Sequence, residues 1–214
     1  MLSASSVVFV VDDDVSVRES LELMIRRAGW HPEIFSTAQE FLERPEVFVP
    51  SCLVLDVSLP GLSGLELQKR IAVERSVLPI IFITGYGDVP MTVRAMKAGA
   101  TEFLTKPFSD EALLGAIGQA LERSRIALKN DAEVRALQQS YLSLTDRERQ
   151  VMVLVVSGML NKQIGGELGI SEITVKAHRG RVMEKMKAGS LAELVKMATR
   201  LRIGADPKAK SPAA

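Results

Sequence analysis

Short apolar runs alternate with longer amphipathic stretches in the first half of the chain, and this alternation constrains the fold more than any other feature. A short all-apolar run between turn residues is typical of a strand buried on both faces, as in parallel sheets. Parallel neighbours require a crossover connection, usually a helix. Five strand–helix units in about 120 residues therefore predict a doubly wound α/β domain with right-handed crossovers and strand order 2-1-3-4-5. The strands are predicted at Val7–Val11, Ile34–Phe35, Cys52–Leu55, Ile80–Ile83 and Glu102–Thr105.

Four of these runs end at charged or hydroxyl side chains. These residues are Asp12, Asp13 and Asp14 after the first run, then Asp56, Thr84 and Lys106. In open α/β sheets the carboxyl ends of the strands form one edge, where ligands bind. Taken alone, Asp56 could belong to a turn or helix cap, the three aspartates to an acidic turn, and Lys106 could be a solvated lysine. Their occurrence at four separate strand ends favours one shared site.

Carboxylates beside a lysine and a hydroxyl fit a Mg²⁺-assisted phosphoryl site, because Mg²⁺ prefers hard oxygen ligands and retains some waters. Asp12 and Asp13 would hold the ion, and Asp56 would bridge it. An ion that neutralises the phosphate charge allows a carboxylate to attack phosphorus. Lys106 would pair with one phosphoryl oxygen, and the Thr84 hydroxyl would donate a hydrogen bond to another.

The ends of several helices are marked in the sequence. Asp14 and Ser109 are predicted to begin helices, and Gly29 to end one. Capping boxes, in which two residues satisfy each other's backbone N–H groups, are predicted at Thr145–Glu148 and Ser190–Glu193.

The second half of the chain differs from the first in charge. Residues 1–123 hold 11 Lys and Arg against 17 Asp and Glu, whereas residues 141–204 hold 11 against 6. The basic part indicates a polyanionic partner. Residues 124–140, which lack glycine and proline, predict a helical linker between the two parts. Its weak apolar stripe fits either a dimer seam or a helix that lies on a domain surface.

A helix-turn-helix is predicted from a helix at 161–168, a tight turn at Gly169–Ile170 and a helix from Ser171 to about Lys187. The residues of the last helix predicted to face the core are Val175, Val182 and Met186, and those predicted to face outward are Lys176, Ala177, Gly180 and Arg181. A basic helix that follows a tight turn is typical of a major-groove reader. A solvated basic face is the simpler explanation for this helix alone, but the charge of the whole domain favours DNA.

The motifs at the strand ends resemble those of response-regulator receiver domains. They are Val11-Asp12-Asp13-Asp14, Leu55-Asp56, Leu59-Pro60-Gly61-x-x-Gly64, Thr84-Gly85 and Phe103-x-x-Lys106-Pro107, within residues 6–123. The resemblance implies that Asp56 accepts a phosphoryl group from a phosphohistidine of a sensor kinase. It also implies that the Ser58 carbonyl completes the metal shell and that the Lys106–Pro107 bond is cis. Phe103 matches a switch aromatic that turns inward as Thr84 moves onto the phosphate.

Residues 142–200 resemble the DNA-binding domain of the LuxR/NarL/FixJ group. The matching segments are Leu144-Thr145-x-Arg147-Glu148, Asn161-Lys162-x-Ile164, Leu168-Gly169-Ile170-Ser171 and Thr174-Val175-Lys176-x-His178. The DNA-facing candidates implied by the resemblance are Lys176 and Arg181, and the candidates near phosphates are Lys162, Thr174 and His178. His178 could equally pack at the edge of the core. Gly165-Gly166 departs from the family's usual helix formers and is expected to cost about 1–2 kcal/mol in helix propensity.

With both resemblances, the chain is identified as a FixJ-type response regulator. The expected parts are a receiver domain at 1–123, a helical linker at 124–140, a helix-turn-helix domain at 141–204 and a disordered tail at 205–214. The expected protein is a transcription regulator and not an enzyme, with Mg²⁺ as cofactor. Its expected partners are a sensor histidine kinase, promoter DNA, RNA polymerase and, on phosphorylation, a second copy of itself. No signal peptide or apolar run of membrane-spanning length is evident, so a cytoplasmic protein is expected.

Two other functions fit parts of this pattern. In the first, the chain is a phosphotransfer sink whose basic domain binds a protein and not DNA. In the second, it is a Mg²⁺-dependent phosphatase of the haloacid-dehalogenase kind, which also uses an aspartyl nucleophile. The phosphatase lacks support, because that family requires a second aspartate two residues after the nucleophile, where this chain has Ser58.

Overall fold

The computed structural model describes residues 6–74, 78–85 and 87–203. The chain divides after Lys129 into two compact units. The predicted disordered tail, residues 205–214, lies outside the described ranges. Among the helices that are described, none is both long and apolar enough to cross a membrane.

The first unit is built on a parallel sheet with strand order β2-β1-β3-β4-β5, which confirms the predicted fold class and strand order. The strands are β1 (Val7–Val11), β2 (His31–Phe35), β3 (Ser51–Asp56), β4 (Ile80–Thr84) and β5 (Glu102–Thr105). The helices are α1 (Val15–Arg27), α2 (Ala38–Glu43), α3 (Gly64–Glu74), α4 (Val89–Lys97) and α5 (Asp110–Leu142).

Alternate residues of the central strands supply an apolar layer to each face of the sheet. On one face, Phe9, Leu53 and Phe82 pack with side chains of α2, α3 and α4. On the other face, Val10 and Val54 pack with side chains of α1 and α5. β3 is buried along its whole length, which accounts for its continuous apolar sequence. Because helices cover both faces of the sheet, polar side chains can gather at the ends of the strands.

The predicted helix ends in the first unit are confirmed. The Asp14 carboxylate accepts a hydrogen bond from the Ser16 N–H at 2.8 Å, and Ser109 Oγ accepts one from the Ala112 N–H at 3.1 Å. Gly29 follows the end of α1 with a φ of 86°, a conformation that glycine adopts without the steric cost of a Cβ. These caps fix where α1 and α5 begin relative to the strands before them.

β2 is longer than the predicted Ile34–Phe35, because it begins at His31. Pro32 weakens the strand prediction, since proline has no N–H to donate to a neighbouring strand. β2 pairs only with β1 at the edge of the sheet, and Pro32 lies opposite Val8. An edge strand tolerates proline because one side of its backbone has no partner strand.

α5 runs without a break from Asp110 to Leu142 and contains the stretch predicted as a linker. Ser124 is buried in this helix, and its Oγ accepts a hydrogen bond from the Ser51 N–H at 3.1 Å. This bond joins α5 to the start of β3. Two residues on, Ile126 is 48% exposed, so the apolar stripe of the linker is not buried along its whole length.

The regular elements described in the second unit are all helices. Besides the end of α5, it contains α6 (Asp146–Val156), α7 (Asn161–Leu168), α8 (Glu172–Met186) and α9 (Leu191–Arg200). Its core includes Val151, Ile164, Val175 and Val182. Gly169, with a φ of 65°, ends α7, and Ser171 caps α8 by accepting a hydrogen bond from the Thr174 N–H. The helix-turn-helix predicted from the sequence is therefore present.

One of the two predicted capping boxes is complete. Thr145 and Glu148 each accept a hydrogen bond from the other's backbone N–H. At α9, the Ser190 hydroxyl accepts from the Glu193 N–H, but the Glu193 carboxylate accepts from Gly189 and not from Ser190. The prediction of a second box was wrong in this respect, because the preceding N–H competes for the same carboxylate.

The two adjacent glycines of α7 have different environments. A Cβ placed on Gly165 would lie 2.7 Å from the Ile170 carbonyl oxygen, whereas one on Gly166 would meet open space. The Gly165 carbonyl also accepts a hydrogen bond from the Ile170 N–H at 3.0 Å. The expectation that both glycines only weaken the helix is incomplete, because Gly165 allows the turn to approach α7 closely.

Candidate functional site

The sheet register brings the predicted polar residues to one edge. Val11 pairs with Leu55, so Asp12 and Asp56 follow at the same height on neighbouring strands. Thr84 pairs with Thr105, and Lys106 follows directly. The four strand ends therefore meet at the carboxyl edge of the sheet, as the sequence predicts.

Lys106 lies between two carboxylates. Its Nζ is 2.7 Å from Asp12 Oδ2 and 3.1 Å from Asp56 Oδ2. The remaining oxygens of these carboxylates accept backbone N–H groups, Asp12 Oδ1 from Asp14 at 2.9 Å and Asp56 Oδ1 from Ser58 at 3.1 Å. Each carboxylate is thus held in one orientation by an ammonium on one side and an amide on the other.

Burial sets the electrostatics of this cluster. Asp12 is fully buried, and this burial raises the pKa of its carboxyl group, although the hydrogen bond from Lys106 opposes the shift. Burial alone would lower the pKa of Lys106, but its hydrogen bonds to Asp12 and Asp56 outweigh burial and leave that pKa raised. Lys106 therefore remains protonated at neutral pH and offsets part of the negative charge around it.

The acidic cluster has the donor set of a Mg²⁺ site. Oxygens of Asp12, Asp13 and Asp56 all lie within 4.8 Å of one another. Asp13 is exposed, so water has access to one side of the cluster. Hard carboxylate oxygens with room for several waters suit Mg²⁺, which binds few protein ligands and dehydrates reluctantly. The residues present therefore fit the ion.

The proposed switch residues Thr84 and Phe103 lie on β4 and β5. Thr84 is fully buried, and the Phe103 ring, which is half-buried, lies with its centroid 6.1 Å from that of Phe82. The Lys106–Pro107 peptide bond is cis, as the resemblance implies. Thr84 thus ends β4, the strand next to β3, and Phe103 lies two residues before the end of β5, opposite Phe82.

Three neighbouring residues contribute to the site and were not assigned a physical role from the sequence. A Cβ on Gly64 would lie 2.3 Å from the Asp56 carbonyl oxygen, and one on Gly87 would lie 3.1 Å from Phe103 Cε1. Arg18 donates a hydrogen bond to the Asp12 carbonyl oxygen at 2.7 Å. The glycines allow two loops to approach the site, and Arg18 anchors the backbone that carries the acidic cluster. A glycine in a motif such as Pro60-Gly61-x-x-Gly64 is the signal that could have indicated a close approach.

In the second unit, the core-facing and outward-facing residues of α8 are those predicted from the sequence. Its core-facing residues Val175, Val182 and Met186 are buried, and its outward-facing residues Lys176, Ala177, Gly180 and Arg181 are exposed. The basic residue Arg179, by contrast, donates a hydrogen bond to Asn161 Oδ1 at 2.8 Å and so joins α8 to α7.

The candidates near phosphates differ in exposure. Lys162 and Thr174 are exposed at the start of α7 and α8. His178 is half-buried, and its Nδ1 is buried without a hydrogen-bond partner among the described residues. The packing alternative for His178 therefore stays open beside the DNA contact.

Two family profiles match the chain. The response regulator receiver domain matches residues 8–118, and the luxR family of bacterial regulatory proteins matches residues 142–198. Together they cover most of the chain, one on each unit.

Similar proteins of known identity match over nearly the whole chain. Nodulation protein W of Bradyrhizobium diazoefficiens is 50% identical over 204 residues, which cover 95% of this chain and 90% of that protein. The transcriptional regulatory protein FixJ of the same organism is 42% identical over 193 residues, which cover 90% of this chain and 94% of that protein. The solved structure of the response regulator StyR superposes with a TM-score of 0.81 at 50% identity and covers 92% of this chain and 100% of that one. The chain belongs to the response-regulator family, and it is a transcription regulator in which a receiver domain precedes a luxR-type helix-turn-helix domain.

Proposed function

We propose that Asp56 accepts a phosphoryl group from a phosphohistidine of a sensor histidine kinase and that this modification controls promoter binding through α8. The observation that carries the proposal is the position of Lys106 Nζ between Asp12 and Asp56 at the sheet edge. An ammonium in that position can move from carboxylate oxygens to a phosphoryl oxygen without leaving the site.

In the transfer step, a carboxylate oxygen of Asp56 attacks phosphorus and the phosphorus–nitrogen bond to the donor imidazole breaks. The electron pair of that bond leaves with the imidazole nitrogen, which takes a proton from solvent. Asp12, Asp13, Asp56 and the Ser58 carbonyl would hold Mg²⁺, whose charge offsets that of the incoming phosphoryl oxygens. Lys106 pairs with one phosphoryl oxygen, and the hydrogen bond from Ser58 N–H keeps the Asp56 carboxylate oriented.

The signal leaves the site through Thr84 and Phe103. A phosphoryl group adds charge and strong acceptor oxygens at one point. The Thr84 hydroxyl moves to donate to it, and Phe103 turns into the space that Thr84 leaves. Shifting an equilibrium from 1:99 to 99:1 requires about 5.5 kcal/mol of differential interaction, which several charge-assisted hydrogen bonds to phosphate can supply.

The output is DNA binding by a phosphorylation-dependent homodimer. The residues proposed to enter the major groove are Lys176 and Arg181, and those proposed to lie near phosphates are Lys162, Thr174 and His178. Two copies present two recognition helices to a two-fold symmetric site. In this proposal the chain acts in the cytoplasm and regulates transcription through promoter DNA and RNA polymerase. Asp56 is a phosphoryl acceptor and not the catalytic residue of an enzyme.

The acceptor is tested with acetyl phosphate as phosphoryl donor and intact mass as readout. With Mg²⁺, the full chain should gain one acid-stable, base-labile phosphoryl group, and Asp56→Asn should gain none. Omission of Mg²⁺ should suppress the reaction, because the acidic cluster then repels the donor. Equal labelling of Asp56→Asn would refute the assignment.

A further inference from the structure

Ile173 is an exposed apolar residue on the proposed DNA-binding helix. Its side chain is 81% exposed, the largest exposed fraction of any large apolar side chain in the described ranges. It lies in the first turn of α8, two residues after the capping residue Ser171. Exposure of such a side chain to water forgoes the stabilisation that burial of its apolar surface would provide. Neither the core of the second unit nor any other described part of the chain buries it.

The position of Ile173 on the helix is opposite the core. Val175 and Val182 are buried, and Ile173 lies on the reverse side of the helix. The exposed residues that follow at one-turn spacing on this side are Lys176, Ala177 and Gly180. Ile173 therefore lies at the centre of the face that we propose enters the major groove.

The neighbours of Ile173 allow this face to come close to a duplex. Ala177 and Gly180 have small or no side chains, and a Cβ on Gly180 would meet nothing within 4 Å. Lys176 and Arg181 supply positive charge on either side, and the paired Glu172 lies 3.8 Å from Lys176 Nζ. Since Ala177 and Gly180 are small, the isoleucine side chain projects farther than the residues beside it between the two basic side chains.

The chemistry of the side chain restricts what it can contact. All four bases present hydrogen-bonding groups in the major groove, but among them thymine alone presents a methyl group, at C5. An isoleucine can neither donate nor accept a hydrogen bond, and it adds no electrostatic attraction to phosphates. The first turn of a recognition helix is the part that contacts base edges.

From these observations we infer that Ile173 is a specificity-determining residue that recognises the C5 methyl group of a thymine in each half-site. The inference rests on the proposed DNA binding and adds the base that one side chain selects. Ile173 contributes to sequence preference, whereas basic side chains that contact phosphates contribute to affinity for all sequences.

The test removes single methyl groups from DNA. Full-length protein treated with acetyl phosphate and Mg²⁺ selects a binding site from a randomised duplex library. Each thymine of the selected duplex is then replaced in turn by deoxyuracil, which lacks only the C5 methyl. Wild-type protein should bind about fourfold more weakly when one particular thymine in a half-site is replaced, the effect of about one buried methyl. Ile173→Ala should bind both duplexes equally.

Two controls accompany the test. Leu142→Ala truncates another exposed apolar side chain, 67% exposed and outside α7 and α8, and should keep the wild-type preference for thymine. The salt dependence of Ile173→Ala binding should equal that of wild type, because no charged group is removed.

Each other outcome is decisive. A selected duplex whose thymines can all be replaced without effect, or the same methyl preference in Ile173→Ala and wild type, would overturn the inference while leaving the proposed DNA binding intact. A library that yields no preferred sequence would overturn both. Unchanged DNA binding by Ile173→Ala with reduced transcription by purified RNA polymerase would assign Ile173 to a protein contact and also overturn the inference.

Discussion

Lys106 Nζ lies 2.7 Å from Asp12 Oδ2, and the Asp12 carboxylate is fully buried. The ion pair does not neutralise the site, because carboxylate oxygens of Asp13 and Asp56 lie within 4.8 Å of that of Asp12. The unphosphorylated site therefore holds excess negative charge at a position where burial raises the pKa of Asp12. Keeping the buried Asp12 carboxylate ionised should therefore reduce the stability of the fold, although the proposed metal site requires that charge.

Asp12→Asn should therefore stabilise the chain when Mg²⁺ is absent. Because the pKa of Asp12 is raised, its ionised form opposes folding once the pH exceeds the ordinary value for aspartate. We expect a gain on the order of 1 kcal/mol in the free energy of unfolding. Thermal melting should show a higher midpoint without Mg²⁺ and a smaller increase on adding Mg²⁺ than in wild type. The control Glu19→Gln removes a negative charge from an exposed position of α1, so its melting midpoint and its response to Mg²⁺ should equal those of wild type. A Mg²⁺ response in Asp12→Asn equal to that of wild type would contradict the metal site.

Thr84→Ala should separate phosphorylation from its consequence. Asp56 should still be labelled by acetyl phosphate, because the acceptor, its lysine and the acidic cluster remain. Most of the phosphorylation-dependent gain in DNA affinity should be lost, since the variant lacks the hydroxyl that we propose donates to the phosphoryl group. Thr84→Ser keeps the hydroxyl and should retain the gain. The readout is DNA affinity before and after phosphorylation, and a wild-type response in Thr84→Ala would show that coupling does not pass through Thr84.

Lys176→Ala should weaken DNA binding without affecting folding, because Lys176 is exposed while its neighbour Val175 is buried. If Lys176 contacts a base edge, specific binding should weaken by roughly 1–3 kcal/mol. If it contacts only phosphate, affinity should fall for all sequences and the salt slope should drop by about one. Binding to specific and scrambled duplexes at several salt concentrations distinguishes the two. Lys196→Ala, on α9, is the matched control, and unchanged binding by Lys176→Ala would place the wrong face of α8 on DNA.

Gly165→Ala and Gly166→Ala should differ in stability although the residues are adjacent. Alanine at position 166 meets open space and should stabilise α7 by about 0.5–1 kcal/mol through helix propensity. At position 165 the new Cβ would lie 2.7 Å from the Ile170 carbonyl, so the turn must shift and the gain should be smaller or reversed. Amide hydrogen exchange in α7 and α8 measures both variants in the full chain. An equal gain from the two substitutions would show that the turn moves freely.

The second unit should lose stability in acid through Glu148. This carboxylate is 2% exposed, and Lys185 Nζ lies 2.7 Å from it. The hydrogen bond from Lys185, helped by that from the Thr145 N–H, lowers the pKa of Glu148. A lowered pKa means that its stabilisation is fully present above the ordinary value for glutamate, about 4.3, and is lost as the pH falls through the lower folded value.

Glu148→Gln should remove this pH dependence and cost on the order of 1–3 kcal/mol at neutral pH. Protection factors for the amides of α6 and α8, measured between neutral and acidic pH, provide the readout because they correct for intrinsic exchange rates. Glu184→Gln, exposed on α8, should behave like wild type. Protection in wild type that does not change with pH would contradict the assignment.

Much of the fold follows from the sequence because its signals are local. An apolar run such as Cys52–Leu55 requires burial on both faces, and caps such as Asp14 and Ser109 need only their own next turn. The full length of β2 did not follow, because Pro32 is acceptable only in a strand that has one neighbour. Whether a strand lies at an edge depends on the whole topology, which a local pattern does not contain.

Some features of the candidate site could likewise be predicted from the sequence, and others could not. Asp12, Asp56 and Lys106 were predicted to meet because strand ends of a parallel sheet share one edge, and the structure brings them within hydrogen-bond distance. The glycine motif could have indicated a close approach at Gly64, but the segments that approach Gly64, Gly87 and Gly165 could not be identified from the sequence. Each depends on how near a distant segment of chain comes to a missing side chain, a distance that residue type and spacing leave open.

Asp12 and Lys106 touch although 94 positions separate them in the sequence. While the chain is being synthesised, a ribosome-bound portion that ends before β5 holds both carboxylates but not the ammonium between them. Such a portion has an unneutralised pair of carboxylates at the edge of an unfinished sheet and lacks the ammonium that we propose pairs with a phosphoryl oxygen. On the proposed mechanism, the ability to accept a phosphoryl group therefore arises only when Lys106 has been added after β5, and a chain truncated before β5 should not respond to the donor at all.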